Sequence, residues 1–163
     1  MNRLLFVCMG NICRSPLAAA VAQDELARQG LARAFTVESR GTHTYFGGQP
    51  ADPRAIAVAA LAGLDLGAHR ARQVGADDFR RGDLLLVMDR RNLSDVRARA
   101  PAHAVGRIRL LMGFADPPTE EVPDPYLGTS ADFELALELI RHGVHGLTRH
   151  LTRLQSVGAL STE

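Results

Sequence analysis

One stretch near the N-terminus limits this chain more than any other: Leu4-Leu5-Phe6-Val7, followed by Cys8-Met9-Gly10-Asn11-Ile12-Cys13-Arg14-Ser15-Pro16. A short apolar run ends at a cysteine, turns through Gly10 and Asn11, and meets an alanine-rich segment with Leu17, Ala20, Val21 and Leu26 at near-helical spacing. The pattern reads as strand, tight loop and helix over Leu17 to Gln29, with Pro16 in the first turn where its missing N–H costs nothing. A loop closing onto a helix N-terminus aims free backbone N–H groups inward and sets the positive end of the helix dipole there. Gly10 and Asn11 are residue types that accept the left-handed backbone such a nest requires. Arg14 adds a permanently charged fork that matches phosphate. The expected cradle is Met9, Gly10, Asn11, Ile12, Cys13, Arg14 and Ser15. The same field draws the Cys8 thiol toward the thiolate, and Ser15 can donate a hydroxyl hydrogen bond to its sulfur. Together these residues form a device for attacking a bound phosphoryl group.

The rest of the chain supplies a parallel sheet around that loop. Ala34 to Glu38 reads as a second strand, so the first crossover is parallel and right-handed. Leu84 to Met88 is a continuous apolar run suited to a central strand covered on both faces. Val105 to Leu111 reads as a fourth strand, with Arg107 and Arg109 alternating as on a wet edge. Helices are expected over Pro53 to Gly63, with Asp52 as N-cap, and over Asn92 to Ala100, stopped by Pro101. A long amphipathic helix follows from Ser130 to Leu154, with Phe133, Leu137, Ile140, Val144, Leu147 and Leu151 on one face. The tail after about residue 155 is expected to fray. With 163 residues, 46% of them hydrophobic, the chain fills one core and not two. The expected fold is a single three-layer α/β domain over residues 1–163: a four-stranded parallel sheet flanked by helices on both faces, with the phosphate-binding loop after the first strand.

Charge excludes some functions. The 19 basic residues, all arginine, nearly balance 18 acidic ones, for a formal net charge of +1. No global field points to nucleic acid or to a membrane surface, so anion recognition has to be local. The two cysteines, Cys8 and Cys13, share one loop and cannot staple a fold, which suggests reactivity in a reducing compartment. The histidines are scattered and no metal-ligand spacing occurs, so neither metal nor cofactor is expected. No membrane-length apolar run and no signal segment is apparent at the N-terminus. The expected location is cytoplasmic, with secretion by a route that needs no signal peptide left open.

Two loops carry further candidates. Ser39 to Asp52 contains Tyr45, which either walls an aryl slot or pins the loop, and the adjacent Phe46 blurs the assignment. Asp116 to Pro125 holds two Asp-Pro steps, Asp116-Pro117 and Asp124-Pro125. A residue before proline is extended, and either carboxylate could project over the loop.

Cys8 through Pro16 resembles the phosphate-binding loop of the low-molecular-weight protein tyrosine phosphatases. Ser39-Arg40-Gly41-Thr42, His69-Arg70-Ala71-Arg72-Gln73, Met88-Asp89-Arg90 and Asp124-Pro125-Tyr126 look like further blocks of that family, in its order. The resemblance covers nearly the whole chain. It implies hydrolysis of phosphotyrosine through a cysteinyl phosphate, with Cys8 as nucleophile, Arg14 as phosphate clamp and Asp124, rather than Asp116, as general acid and base. By the same resemblance Tyr45 and Tyr126 line the substrate slot, His69 supports the loop through Asn11, and Asp89 and Arg90 are supporting residues. Cys13 is implied as a redox partner of Cys8. The family commonly has a second tyrosine where this chain has Leu127, which removes one aromatic wall. Thiol-coupled arsenate reductases share the loop but relay oxidation through downstream cysteines, absent here. Protein-arginine phosphatases carry threonine in place of Ile12, and a non-catalytic phosphotyrosine-binding module would need neither nucleophile nor acid. The implied partners are phosphotyrosine proteins, among them a bacterial tyrosine kinase or host proteins, met by a monomer.

Overall fold

The computed structural model describes residues 2–43, 45–80 and 83–160. Four parallel strands, β1 (Asn2–Cys8), β2 (Phe35–Gly41), β3 (Leu84–Val87) and β4 (Ile108–Leu110), form one sheet in the order β2-β1-β3-β4. Four helices connect and cover them: α1 (Arg14–Arg28), α2 (Pro53–Leu61), α3 (Arg90–Arg99) and α4 (Ser130–Leu160). β1 is central, and all of it after Asn2 is buried. Its side chains alternate between layers, as a pleated strand requires. Leu4, Phe6 and Cys8 join the large core under α1, α2 and α4, whereas Leu5 and Val7 pack with Val74, Phe79, Val96 and Ile108 on the α3 side. The three-layer expectation is met.

The strand order also places the site. The chain moves from β1 to β2 on one side, then crosses to β3 on the other. The carboxyl end of β1 therefore lies at the reversal of winding, where open α/β sheets bind ligands. Cys8 stands at that point. β3 ends beside it, so that the Met88 N–H donates to Val7 O and residues after Met88 enter the same crevice.

Most boundaries shift by one to three residues from the sequence reading, and three shifts have a local cause. β2 extends to Gly41 because Cys8 still finds a partner there in the ladder. β4 begins only at Ile108, since Val105–Arg107 forms a 3-10 turn. Arg107 thus leaves the strand, and its guanidinium donates to the carbonyls of Arg80 and Asp83. The tail after residue 155 does not fray at once: α4 continues to Leu160, with no proline to stop it and a Ser156 hydroxyl bonded back to Thr152 O. Residues 161–163 of that expected tail lie outside the described residues. No helix among the described residues is long and apolar enough to cross a membrane.

Candidate active site

The loop between β1 and α1 is held in shape by Asn11. Its φ of 57° is the one left-handed non-glycine conformation among the described residues, a state that costs about 1–2 kcal/mol for an L-residue unless neighbours impose it. Here they do. The side-chain amide donates to Ser15 Oγ at 2.8 Å and Ser39 Oγ at 2.9 Å, and its oxygen accepts from Arg72 N at 2.9 Å. His69 Nε2 lies 2.7 Å from the Asn11 carbonyl. A carbonyl only accepts, so Nε2 carries the proton. Burial pushes the His69 pKa below the usual imidazole value, against the opposing hydrogen bond to Asn11; a neutral ring suits this contact.

With the loop so fixed, Gly10, Asn11, Ile12 and Cys13 have backbone N–H groups that meet no acceptor among the described residues, and α1 starts without a side-chain cap. This is the geometry of an anion nest. Cys8 Sγ sits 3.0 Å from Ser15 Oγ. Asn11 already fills one acceptor position of that hydroxyl, leaving its proton for the sulfur or for Arg40 O at 3.3 Å. The sulfur contact is the shorter, so a sulfur anion takes the proton.

Arg14 is buried beneath the loop. Nη1 donates to Asp89 Oδ2 at 2.6 Å and to Val122 O at 2.9 Å, and Nη2 faces Asp124 Oδ2 at 3.5 Å. Burial opposes its charge, but Cys8, Asp89 and Asp124 outweigh that and raise its pKa further. Asp89 does two jobs, because its other oxygen caps α3 through Asn92 N. Arg90 instead pairs with Glu120 on the surface and donates its backbone N–H to Glu121.

A cavity of about 160 Å³ opens above these groups. Cys8, Cys13 and Arg14 form its floor, and Ile12, Tyr45, Phe46, Tyr126 and Asp124 its sides. Asp124 is half-open to solvent, with its Oδ1 accepting from Tyr126 N at 3.2 Å. Asp116 is elsewhere, lining a separate groove with Arg141 and Arg149 of α4. Both tyrosines are at the cavity, but Phe46 has the tighter seat. A side chain at position 10 would touch the Phe46 ring at 2.8 Å, and that ring lies 5.7 Å from Tyr126 in tilted contact. Tyr45 is 70% exposed and stacks on His43. Cys13 is buried, and burial together with the Asp52 carboxylate pushes its thiol pKa far up.

Residues 3–157 match the family described as low molecular weight phosphotyrosine protein phosphatase. The chain belongs to this family. A low molecular weight protein-tyrosine-phosphatase of Streptomyces coelicolor is 39% identical over 150 residues, covering 89% of this chain and 90% of the relative. A probable member from Ralstonia nicotianae, EpsP, is 40% identical over 144 residues, covering 88% and 92%. A protein tyrosine phosphatase of Entamoeba histolytica, crystallised with Hepes in its active site, superposes with a TM-score of 0.91 at 32% identity, covering 95% of this chain and 99% of that one. The phosphatase is accordingly a hydrolase of phosphotyrosine in proteins.

The sequence reading did not single out Phe46 as a wall, Val122 as a contact of Arg14, or Arg54. Val122 acts through its carbonyl, which every residue has. Arg54 did leave a signal: an arginine in the first turn of α2 opposes the helix dipole, a placement that calls for a partner.

Proposed function

We propose that Cys8, Arg14 and Asp124 carry out the phosphatase reaction of this chain. A phosphotyrosine dianion enters between Phe46 and Tyr126, and its oxygens accept from the loop N–H groups and Arg14. The Cys8 thiolate attacks phosphorus in line, forming the S–P bond as the P–O bond to the aryl group breaks. Asp124, protonated at this stage, gives its proton to the departing phenolate oxygen. Asp124 then takes a proton from water, whose oxygen attacks the cysteinyl phosphate, releasing phosphate and the Cys8 thiolate. Ser15 supports the sulfur anion as nucleophile and as leaving group. Arg14 and the nest stabilise the equatorial oxygens in both steps. Asn11 and His69 keep the nest formed.

The observation that carries this reading is the position of Asp124, whose Oδ2 faces Arg14 Nη2 across the cavity floored by Cys8. The test is hydrolysis of 4-nitrophenyl phosphate, in the presence of chelator, by wild type and Cys8→Ser. Loss of at least about 10⁴-fold in turnover is expected, with direct binding of inorganic phosphate kept. Appreciable turnover by Cys8→Ser would remove the nucleophile from Cys8.

Phosphotyrosyl proteins are the substrates, and an autophosphorylating bacterial tyrosine kinase or a host protein fits that chemistry. The working unit we propose is the monomer. Cys8 and Cys13 are both free thiols, and we assign the phosphatase to the reducing cytoplasm. There Cys13 guards Cys8: a Cys8 sulfenic acid condenses with the Cys13 thiol to a disulfide and water, short of irreversible oxidation. Peroxide inactivation of Cys13→Ala should be less reversible by thiol than that of wild type.

A further inference from the structure

Arg54 is outside the cavity, yet it joins the cavity's two halves. It occupies the second position of α2, next to the N-cap Asp52, whose carboxylate accepts from Arg54 N at 2.8 Å, Nε at 3.1 Å and Nη2 at 2.9 Å. The far edge of the same guanidinium reaches the acid-bearing loop. Nη2 donates to Tyr126 O at 2.9 Å and Nη1 to Gly128 O at 3.1 Å. Its flat face is fixed as well, with Cζ 4.5 Å from the Phe133 ring centroid in α4 and 5.9 Å from that of Tyr126. A planar fork is the group that can meet a carboxylate and two carbonyls at once.

Both ends of this clamp lead to the chemistry. Asp52 N donates to Ile12 O, tying the clamp to the phosphate loop. On the other side Tyr126, held at its carbonyl by Arg54, donates its N–H to Asp124 Oδ1. A shift of the Tyr126 backbone, carried from its carbonyl through Cα to its N–H, therefore moves the carboxyl that faces Arg14.

We infer that Arg54 is a positioning residue for the general acid: by gripping the carbonyls of Tyr126 and Gly128 it sets the distance between Asp124 and the leaving oxygen. This rests on the reading of Asp124 as the acid. Leaving-group dependence separates acid positioning from a general structural role. A good leaving group such as 4-nitrophenolate departs with little need of a proton, whereas phenolate needs one. The quantity to compare is kcat/KM, which covers every step through departure of the phenol.

The experiment measures kcat/KM for 4-nitrophenyl phosphate and phenyl phosphate in wild type, Arg54→Gln, Arg54→Lys, Asp124→Asn and the Arg54→Gln/Asp124→Asn double variant. Arg54→Gln should lose about 10-fold on phenyl phosphate and under about 3-fold on 4-nitrophenyl phosphate. In the Asp124→Asn background the same substitution should cost nothing further, as expected of residues acting through one group. Arg54→Lys, which keeps the charge without the fork, should behave like Arg54→Gln, and it carries the test if the Gln variant fails to fold. Inhibition by inorganic phosphate should be unchanged. Equal losses on both substrates, a loss that persists undiminished without Asp124, full activity in Arg54→Lys, no loss in Arg54→Gln, or weakened phosphate inhibition would each overturn the assignment. If Asp124→Asn alone shows no greater loss on phenyl phosphate, it is the acid reading that fails.

Discussion

The Cys8 loop and the loop proposed to carry the acid face each other across one cavity, and they are held in place by different kinds of contact. Residues 8–15 are buried except for the half-buried Met9 and Gly10, and they are tied mostly by side-chain groups that find one another: Asn11 to Ser15 and Ser39, Cys8 to Ser15, Arg14 to Asp89. The segment after Asp116 is held largely at its backbone, with the Val122 side chain buried in the core and Glu120 and Glu121 bonded to Arg90 at the surface. Arg14 holds it at Val122 O, Arg54 at Tyr126 O and Gly128 O, and the Met88 carbonyl at Val122 N. Leu127 at its tip is 94% exposed. The Cys8 half is thus preorganised as part of the core, while the Asp124 half is a more exposed strap fastened mainly at its backbone. Such a strap tolerates substitution between its fastenings, and Leu127, where the family commonly has tyrosine, stands at such a place.

This contrast makes the two halves separable by mutation. Beyond the loss of the nucleophile itself, the largest effect belongs to Asp124→Asn. It should lower kcat/KM for an aryl phosphate with a poor leaving group by about 10³-fold, or roughly 4 kcal/mol of barrier, within the usual range for a general acid. Thermal stability and phosphate inhibition should stay near wild type, and a large stability loss would break the distinction. Asn11→Ala should do the reverse. It leaves a left-handed backbone on a residue that disfavours it and strips donors from the buried Ser15 and half-buried Ser39 hydroxyls, for a loss of about 3 kcal/mol in unfolding free energy. Phosphate inhibition should weaken with it. If denaturant titration shows no destabilisation, the loop is not part of the core in the sense argued here.

The same contrast explains what could be read without coordinates. The strand, loop and helix around Cys8 are local, so residue type and spacing led to the nest, the clamp and the crossover. Asp52 as a cap was equally local. The fastenings of the acid loop were not legible, since a backbone carbonyl carries no mark of its partner in the chain. Asp89 could be called supporting, but its hydrogen bond to Arg14 spans 75 positions and depends on β1 and β3 lying side by side. Phe46 and Tyr45 sit in a loop with no periodicity to say which ring turns inward. Their contacts with Gly10 and His43 decide it. The fourth strand was read too long because alternating arginines suit an edge strand and a 3-10 turn alike.

A third substitution sharpens the comparison from the far side of the molecule. Gly146 of α4 lies under the 3-10 turn Leu111–Phe114, and a Cβ there would collide with the Phe114 carbonyl. That turn leads into the acid loop, which folds back so that Thr119 N bonds Met112 O. Gly146→Ala should cost about 2 kcal/mol of stability through forced displacement of the turn. The displaced turn should disturb catalysis through the strap alone: kcat/KM for phenyl phosphate falls while phosphate inhibition holds. Stability equal to wild type in denaturant titration would show that the turn can yield without cost.

The smallest effect concerns the proton on His69. Its pKa is held down in the folded protein chiefly by burial, so the unfolded chain binds this proton at a higher pH than the folded one. The contribution is fully present above the ordinary imidazole pKa and is lost as pH falls through the depressed folded value. Wild-type stability should therefore fall on acidification through that window, with His69 supplying a small part of the drop. His69→Gln keeps a donor for the Asn11 carbonyl but has no proton to gain. Its stability at neutral pH should be close to wild type, and its decline on acidification shallower. Parallel curves for the two proteins would mean that the ring is not desolvated enough in the fold for its proton to matter.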